Sequence, residues 1–403
     1  MIPATTIPSN PALSLTVMEI PSRHTEHTQP DMVVPVTWDP LGEVIQDRAQ
    51  YKADVQHHNR LTAASWKLVA QRTSHEFFLN AMMDKGAILS FFSILTFTPT
   101  VLALYSIVTL LLANNRTEVT ALTADLINDY IPEDYADNVA TVVDMIIGSA
   151  RQGTIVLIVS VLIALFSSST YVRAFARAAN NVYGRLEGRP LIRTWAVMWF
   201  LTIIMTIGAA IIFVAIVLRR SVITRVLEPI AGPLGLTGTV NYLLDYFLPA
   251  WAWLRWPVIL FIAVFLIAML YHFAPNVRPT RFRWFTTGSL IALTGAIIAW
   301  ILLRTYLTYF VALSAYGALG AAIAFLLALW IMNTFIVLGV KVDAEILRAR
   351  ELQRGVHAEA VIQAPPRSTK SAIIQWQQRV DLQEKGRTLR ETQGRTLSVD
   401  EED

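Results

Sequence analysis

The sequence predicts an all-α, polytopic membrane protein: a six-transmembrane-helix bundle with a preceding amphipathic surface helix and a helical extracytoplasmic loop. Three observations predict it. The chain of 403 residues is 54% hydrophobic and only 16% charged, against about 25% charged in soluble domains. Its apolar residues gather into runs longer than the roughly 20 residues a helix needs to cross a bilayer. Two of these runs, 285–313 and 317–340, are separated by so few residues around Ser314, Ala315 and Tyr316 that they must form a tight antiparallel pair. Within that pair small residues recur four apart: Gly288 and Ala292, Gly295 and Ala299, Gly317 and Ala321, Gly320 and Ala324. This spacing puts them on one face of each helix, where missing bulk lets backbones approach.

Taken in order, residues 1–60 read as a polar, disordered cytoplasmic tail, rich in Pro, Thr and Ser and without a periodic apolar pattern. Residues 61–85 place Leu61, Ala64, Leu68, Phe78, Met82 and Met83 roughly on one helical face among Trp66, Lys67, Arg72 and Lys85. That pattern predicts a helix lying on the membrane surface. Six crossings follow, at about 86–112, 154–172, 194–218, 250–273, 285–313 and 317–340. Pro99 lies inside the first and predicts a kink near Leu95. Trp251, Trp253 and Trp256 open the fourth as an interfacial belt. The loop from Asn114 to Gln152 is too long for a turn. Pro132, Glu133 and Asp134 start a helix there, and Val139, Val142, Val143, Ile146, Ile147 and Ala150 continue it at helical spacing. Residues 346–403 form a polar cytoplasmic tail in which 371–385 can be a short helix.

Loop charges set the orientation. Arg173, Arg177, Arg185, Arg189 and Arg193 crowd one loop, and Arg278, Arg281 and Arg283 another on the same side. The opposite side carries Asp125, Asp129, Glu133, Asp134, Asp137 and Asp144. The Lys and Arg excess places both termini in the cytoplasm. The net charge of +3 is explained by these loops, so no nucleic-acid partner is expected. No cleavable signal is visible, because the first long apolar run starts near Gly86. There is no cysteine, which excludes disulfides, iron–sulfur clusters and thiol-bound zinc.

Five stretches together resemble the YihY/BrkB family of bacterial inner-membrane proteins, once labelled ribonuclease BN. They are SFFSILTFTP (Ser90–Pro99), AANNVYGRLEGRP (Ala178–Pro190), RWFTTGSL (Arg283–Leu290), YGALGAAIAFLLALW (Tyr316–Trp330) and LGVKVDAE (Leu338–Glu345). The positions that carry the resemblance are Pro99, Asn180, Arg189, Pro190, Gly288, Tyr316, Gly317, Gly339 and Glu345. The sequence departs from the family pattern at Thr287, where proline is usual, at Lys341, where the family has Glu, and at Asp343, where it has Asn. The resemblance implies a six-helix bundle in the bacterial plasma membrane and no established reaction.

No catalytic constellation and no cofactor site emerge from the sequence. Gly232, Gly235 and Gly238 imitate a dinucleotide fingerprint but follow no strand. The membrane core offers one histidine, His272, at a helix end, whereas a metal centre needs several converging ligands. His24, His27, His57 and His58 lie in the polar tail. The better leads are charges near the bilayer. Arg304 sits roughly 7–8 Å past the middle of its helix, and a buried, unpaired guanidinium there costs about 2.5–3.5 kcal/mol. Arg304, Arg255, Arg219, Arg220 and Arg225 fall toward one side. They either line a cavity for an anionic ligand such as a phospholipid head group or are neutralised by the acidic loop. Asn333 and Tyr306 need polar partners in lipid, as interhelical bonds or as ligand contacts. The expected partners are therefore membrane lipids and an anionic lipid or solute; a homo-oligomer stays open. The expected function is transport or handling of that solute, with a membrane scaffold as the alternative and a ribonuclease behind both.

Overall fold

The computed structural model describes residues 60–111, 124–125, 140–141, 154–224, 231, 237–278, 283–310 and 317–397. The N-terminal tail up to residue 59, the outer-loop helix expected from Pro132 onward, Gly232, Gly235, Tyr316 and the last acids lie outside them.

Eight helices carry the description that follows. Helix α1 (Ala63–Leu79) is started by Thr62, whose side chain accepts a hydrogen bond from the Ser65 amide, satisfying a donor that the first turn leaves open. It stops at Asn80 and Ala81, the latter with φ of 47°. The chain then turns by 65° into α2 (Met82–Leu111), which contains Pro99. Helix α3 (Thr154–Val182) and α4 (Leu191–Val217, with Pro190 at its N-cap) are joined by a tight turn. A short helix (Thr237–Tyr242) and a π-helical turn (Leu243–Phe247) lead into α5 (Leu248–Phe273). Helix α6 (Thr287–Thr305) opens with a capping box between Thr286 and Ser289 and runs on into a π-helical turn (Tyr306–Phe310). Helix α7 (Gly317–Leu352) and α8 (Lys370–Glu391) complete the order. Among the described residues the fold is all-α; an isolated antiparallel bridge pairs Val277 with Pro366.

Four of these segments are long and apolar enough to cross a membrane: Leu191–Val217, Gly238–Phe273, Thr287–Tyr309 and Leu319–Leu352. A fifth joins them if the bent pair Ala63–Leu79 and Met82–Thr96 counts as one span. Their outward faces are apolar: Ile192 and Trp253 are each 85% exposed, with Phe91, Phe261 and Ile207 also open. Water would penalise so much contiguous apolar surface, and hydrocarbon does not. The architecture is that of a multi-pass helical membrane protein.

Helix α7 is the axis. With 36 residues it is about 54 Å long, well beyond the roughly 30 Å hydrocarbon thickness. The apolar run stops at Val340, but nothing between Lys341 and Leu352 breaks a helix, and Lys341 and Glu345 pair across one turn. The helix therefore projects past the hydrocarbon with its charged end. Helix α6 packs antiparallel on it: Gly288 lies against Gly339, and Gly295 against Phe335. Ala292, Gly295 and Ala299 on α6 are buried, as are Gly320 and Ala324 on α7. A Cβ built on Gly339 would overlap the Gly288 carbonyl oxygen and the Tyr271 hydroxyl. On the other side Gly86 of α2 abuts Thr334, Trp330 Nε1 donates to the Met83 carbonyl at 3.0 Å, and Tyr271 of α5 donates to the Ile336 carbonyl at 2.6 Å. The Tyr271 ring stacks on the fully buried Phe175 of α3, with centroids 5.9 Å apart.

Gly339→Val is expected to destabilise the bundle by at least the 1–3 kcal/mol typical of overpacking, because backbone must yield. Gly386→Ala, on α8 where a Cβ meets nothing within 4 Å, is expected to be neutral or to gain up to about 1 kcal/mol. Thermal unfolding of the two purified variants checks the contrast.

Candidate functional site

The polar chemistry converges at the charged end of α7. Glu345, only 1% exposed, is reached by three cations. Lys341 Nζ donates at 2.6 Å, Arg348 Nε at 3.1 Å, and Arg72 Nε from α1 lies 3.1 Å away. Lys341, equally buried, also pairs with Glu76 of α1. Arg348 donates to the carbonyls of Ala358 at 2.8 Å and Ala360 at 3.1 Å. The buried Glu351 accepts the Gln363 amide at 2.8 Å. Residues 356–366, polar by the sequence expectation, thus fold back onto the bundle, with Ala358, Ile362 and Ala364 fully buried. Their backbone carbonyls are the reason: buried arginines need acceptors, and this segment supplies them.

A second cluster joins α3, α4 and α5 through their connecting turns. Arg189, 2% exposed in its side chain, grips Glu187 through Nε and Nη2, both at 2.7 Å. It also donates to the carbonyls that end α5, Phe273 at 3.1 Å and Ala274 at 2.7 Å. A guanidinium suits this place, because its planar fork serves a carboxylate on one edge and helix carbonyls on the other. Asn180 donates to Glu187 at 3.0 Å and accepts the Asn276 amide at 2.6 Å. Asn276 in turn donates to the carbonyls of Leu186 and Ser368. Gly188 lies so close to the Ser368 carbonyl that no side chain fits. Arg185 donates to the carbonyls of Ile362 and Ala364. Burial pushes the Arg367 guanidinium down to about 10, helped by Arg189, Arg278 and Arg193.

Beside these clusters lies a half-open cavity of about 190 Å³. Tyr183, Tyr271, His272, Arg283, Thr286, Asp343 and Arg350 supply its polar wall, and Ala268, Phe285, Ile346 and Leu347 its apolar wall. Asp343 is held at the start of α6, where Oδ1 accepts the Gly288 amide at 2.8 Å. Helix N-termini favour such an anionic cap. With one carboxylate already engaged and two guanidinium groups, the cavity carries a positive balance.

The residues singled out from charge and depth are distributed differently. Asn333 is fully buried: its amide donates to Ser90 and Ser93 of α2 and to the Leu329 carbonyl, and Oδ1 accepts from Tyr171 of α3 at 2.9 Å. It ties three helices together. Arg220 pairs with Asp245 at 3.4 Å in an exposed setting. Arg255 lies over Trp256 and Arg304 over Trp300, at 5.2 and 5.5 Å from the ring centres. Arg219 is half-buried beside Arg220, and Tyr306 opens the π-helical turn after α6. None of these six lines the 190 Å³ cavity. Asn180, Arg189, Gly288, Gly339 and Glu345 do converge on the charged end. Glu76, Arg72, Asn276, Glu351 and Gln363 were not legible beforehand. The one signal in the sequence is that Glu76 is an acid inside the mostly apolar and basic pattern of residues 61–85. Among the described residues no group of three or more His, Cys, Asp and Glu is placed to hold a metal ion.

Replacing Glu345 by Ala leaves Lys341, Arg72 and Arg348 with Glu76 as their remaining carboxylate. The expected cost is about 3–5 kcal/mol, the range for breaking a buried ion pair. Lys341→Met together with Glu345→Leu should cost less than Glu345→Ala alone, because a cation leaves with the carboxylate and the cluster's net charge is unchanged, with Arg72 still on Glu76 and Arg348 on the Ala358 and Ala360 carbonyls. Comparing the unfolding temperatures of the two variants checks this.

Residues 74–362 match the family described as Virulence factor BrkB. A Bacillus subtilis (strain 168) protein described as ribonuclease-like, YfkH, is 26% identical over 228 residues, which are 56% of this chain and 78% of the relative. No solved structure matches the chain. The family match takes in α2 to α7 and most residues of both polar clusters, and on that extent the chain belongs to the Virulence factor BrkB family.

Proposed function

We propose that this is a six-crossing protein of the bacterial plasma (inner) membrane, with both termini in the cytoplasm, that transports or handles a lipid-like or anionic amphiphile. The observation that carries the proposal is the 190 Å³ cavity at the charged end of α7. Arg283 and Arg350 suit a phosphate or carboxylate, while Phe285, Ile346 and Leu347 suit an apolar body. Such a mixed lining is what an amphiphile requires. At the other end, Arg219, Arg220, Arg255 and Arg304 with Tyr306 offer a second cationic region for the same class of ligand. One observation favours a scaffold instead: the polar atoms of Asn333 are engaged by Tyr171 and Ser90 of neighbouring helices and by the Leu329 carbonyl of its own, which gives a tight bundle core. The ribonuclease-like description belongs to the relative.

Arg283→Gln combined with Arg350→Gln is expected to weaken binding of spin-labelled phosphatidylglycerol to the reconstituted protein at least tenfold and to leave folding intact. Equal binding would remove the cavity from the function. Topology is checked separately. The chain has no cysteine, so single Glu133→Cys and Gln377→Cys variants report sidedness cleanly. An impermeant maleimide applied to intact cells should label the first and spare the second.

A further inference from the structure

The polar cavity is not the only opening at this end of the bundle. A larger and almost wholly apolar groove, about 510 Å³, runs between α1 and the α6–α7 pair. Trp66, Val69 and Phe77 form one wall, and Ile291, Leu338 and Val342 the other. Its size falls in the range of about 300–1,000 Å³ usual for small-molecule sites. The groove lies where α1, turned by 65° from α2, packs through Val69 against Val342, Ile291 and Leu338 and is held by the Lys341–Glu76 and Arg72–Glu345 ion pairs, with Trp66 and Phe77 flanking that contact.

We propose that this groove holds one acyl chain of a bilayer phospholipid, with the ester carbonyl bound by Thr73. Three observations name this occupant. The Thr73 side chain lines the groove and is 9% exposed, and its hydroxyl has no hydrogen-bond partner. A buried hydroxyl of this kind calls for an acceptor. Ser74, which also lines the groove with Thr287, already donates to the Gln71 carbonyl, so a ligand that is hydrocarbon with an acceptor for Thr73 fits the mostly apolar lining, and a fatty ester is that. Second, α1 presents Phe78 at 76% and Leu79 at 70% exposure, the habit of a helix lying about 5–10 Å into the boundary between head groups and chains. Lipid esters lie at that depth. Third, the wall opposite Thr73 belongs to α6 and α7, both long and apolar enough to span a membrane. A chain entering beside Thr73 continues along Ile291 and Leu338 toward the hydrocarbon. The inference rests on the membrane architecture and does not require the Arg283 and Arg350 cavity to bind anything.

The full chain in phosphatidylethanolamine nanodiscs, doped with a phosphatidylethanolamine bearing a diazirine near the end of one acyl chain, tests the proposal. Irradiation should concentrate adducts on residues 66–78, 287–291 and 338–342. Ala70→Trp, at an exposed position on the groove wall, should cut that yield at least fivefold while labelling of the α4 residues Ile203, Ile207 and Ile211 stays constant. Ser74→Phe fills the same space should the first variant not fold. Thr73→Val, which keeps the shape and removes the hydroxyl, should lower the lipid retained in native mass spectrometry two- to threefold. Arg283→Gln with Arg350→Gln should leave the groove adducts unchanged, which separates this proposal from the cavity. Adducts spread evenly over the apolar helices, or unchanged groove labelling in the filled variants, would overturn it.

Discussion

A carboxylate withdrawn from water must be surrounded by donors, and the charged end of this bundle is built around that requirement at Glu345. Lys341, Arg348 and Arg72 reach it from α7 and α1. Each of those cations then needs further acceptors: Glu76 for Lys341, and the Ala358 and Ala360 carbonyls for Arg348. One buried charge thereby fixes the position of α1 and the return of residues 356–366. A half-satisfied network of this kind is worse than an apolar core, so its members hold together as a set. The Arg189, Glu187, Asn180 and Asn276 cluster works by the same logic on the turns beside α3, α4 and α5.

Hydrocarbon imposes the complementary constraint along the rest of the bundle. Helices there gain little from hydrophobicity, since lipid is equally apolar, and they associate through close packing. That is the role of Gly288 against Gly339 and of Gly295 against Phe335. Asn333 adds a polar tie between α7, α2 and α3 in the middle of the structure. Helix α7 meets both constraints along its length. Its first two-thirds are small and apolar, and its last third is charged and clamped.

The two openings lie where these regimes meet. The 190 Å³ cavity has cations and tyrosines beside an apolar wall, and the 510 Å³ groove is mostly apolar, with the hydroxyls of Thr73, Ser74 and Thr287 in its lining. Thr287 lines both. An end of the molecule that offers a site for charge and a site for hydrocarbon side by side is suited to an amphiphile. That adjacency is the physical basis of the lipid handling proposed for this member of the Virulence factor BrkB family.

The sequence by itself determined the all-α class, the apolar helices and the close approach of α6 to α7, because each follows from local composition and from small residues at helical spacing. The family resemblance, carried by motif order, picked out Asn180, Arg189, Gly288, Gly339 and Glu345 without saying what they touch. Tertiary structure alone decided that Glu345 meets Arg72, that Arg185 holds the backbone of Ile362 and Ala364, and that the segment after Gly355 is part of the core. It also turned Asn333 into an interhelical tie and set Arg255 and Arg304 over tryptophans of their own helices. The reason is one of range. Helix formation and membrane partition depend on neighbours within a few turns, whereas the partner of a buried charge can lie 265 residues away, as Glu76 lies from Lys341.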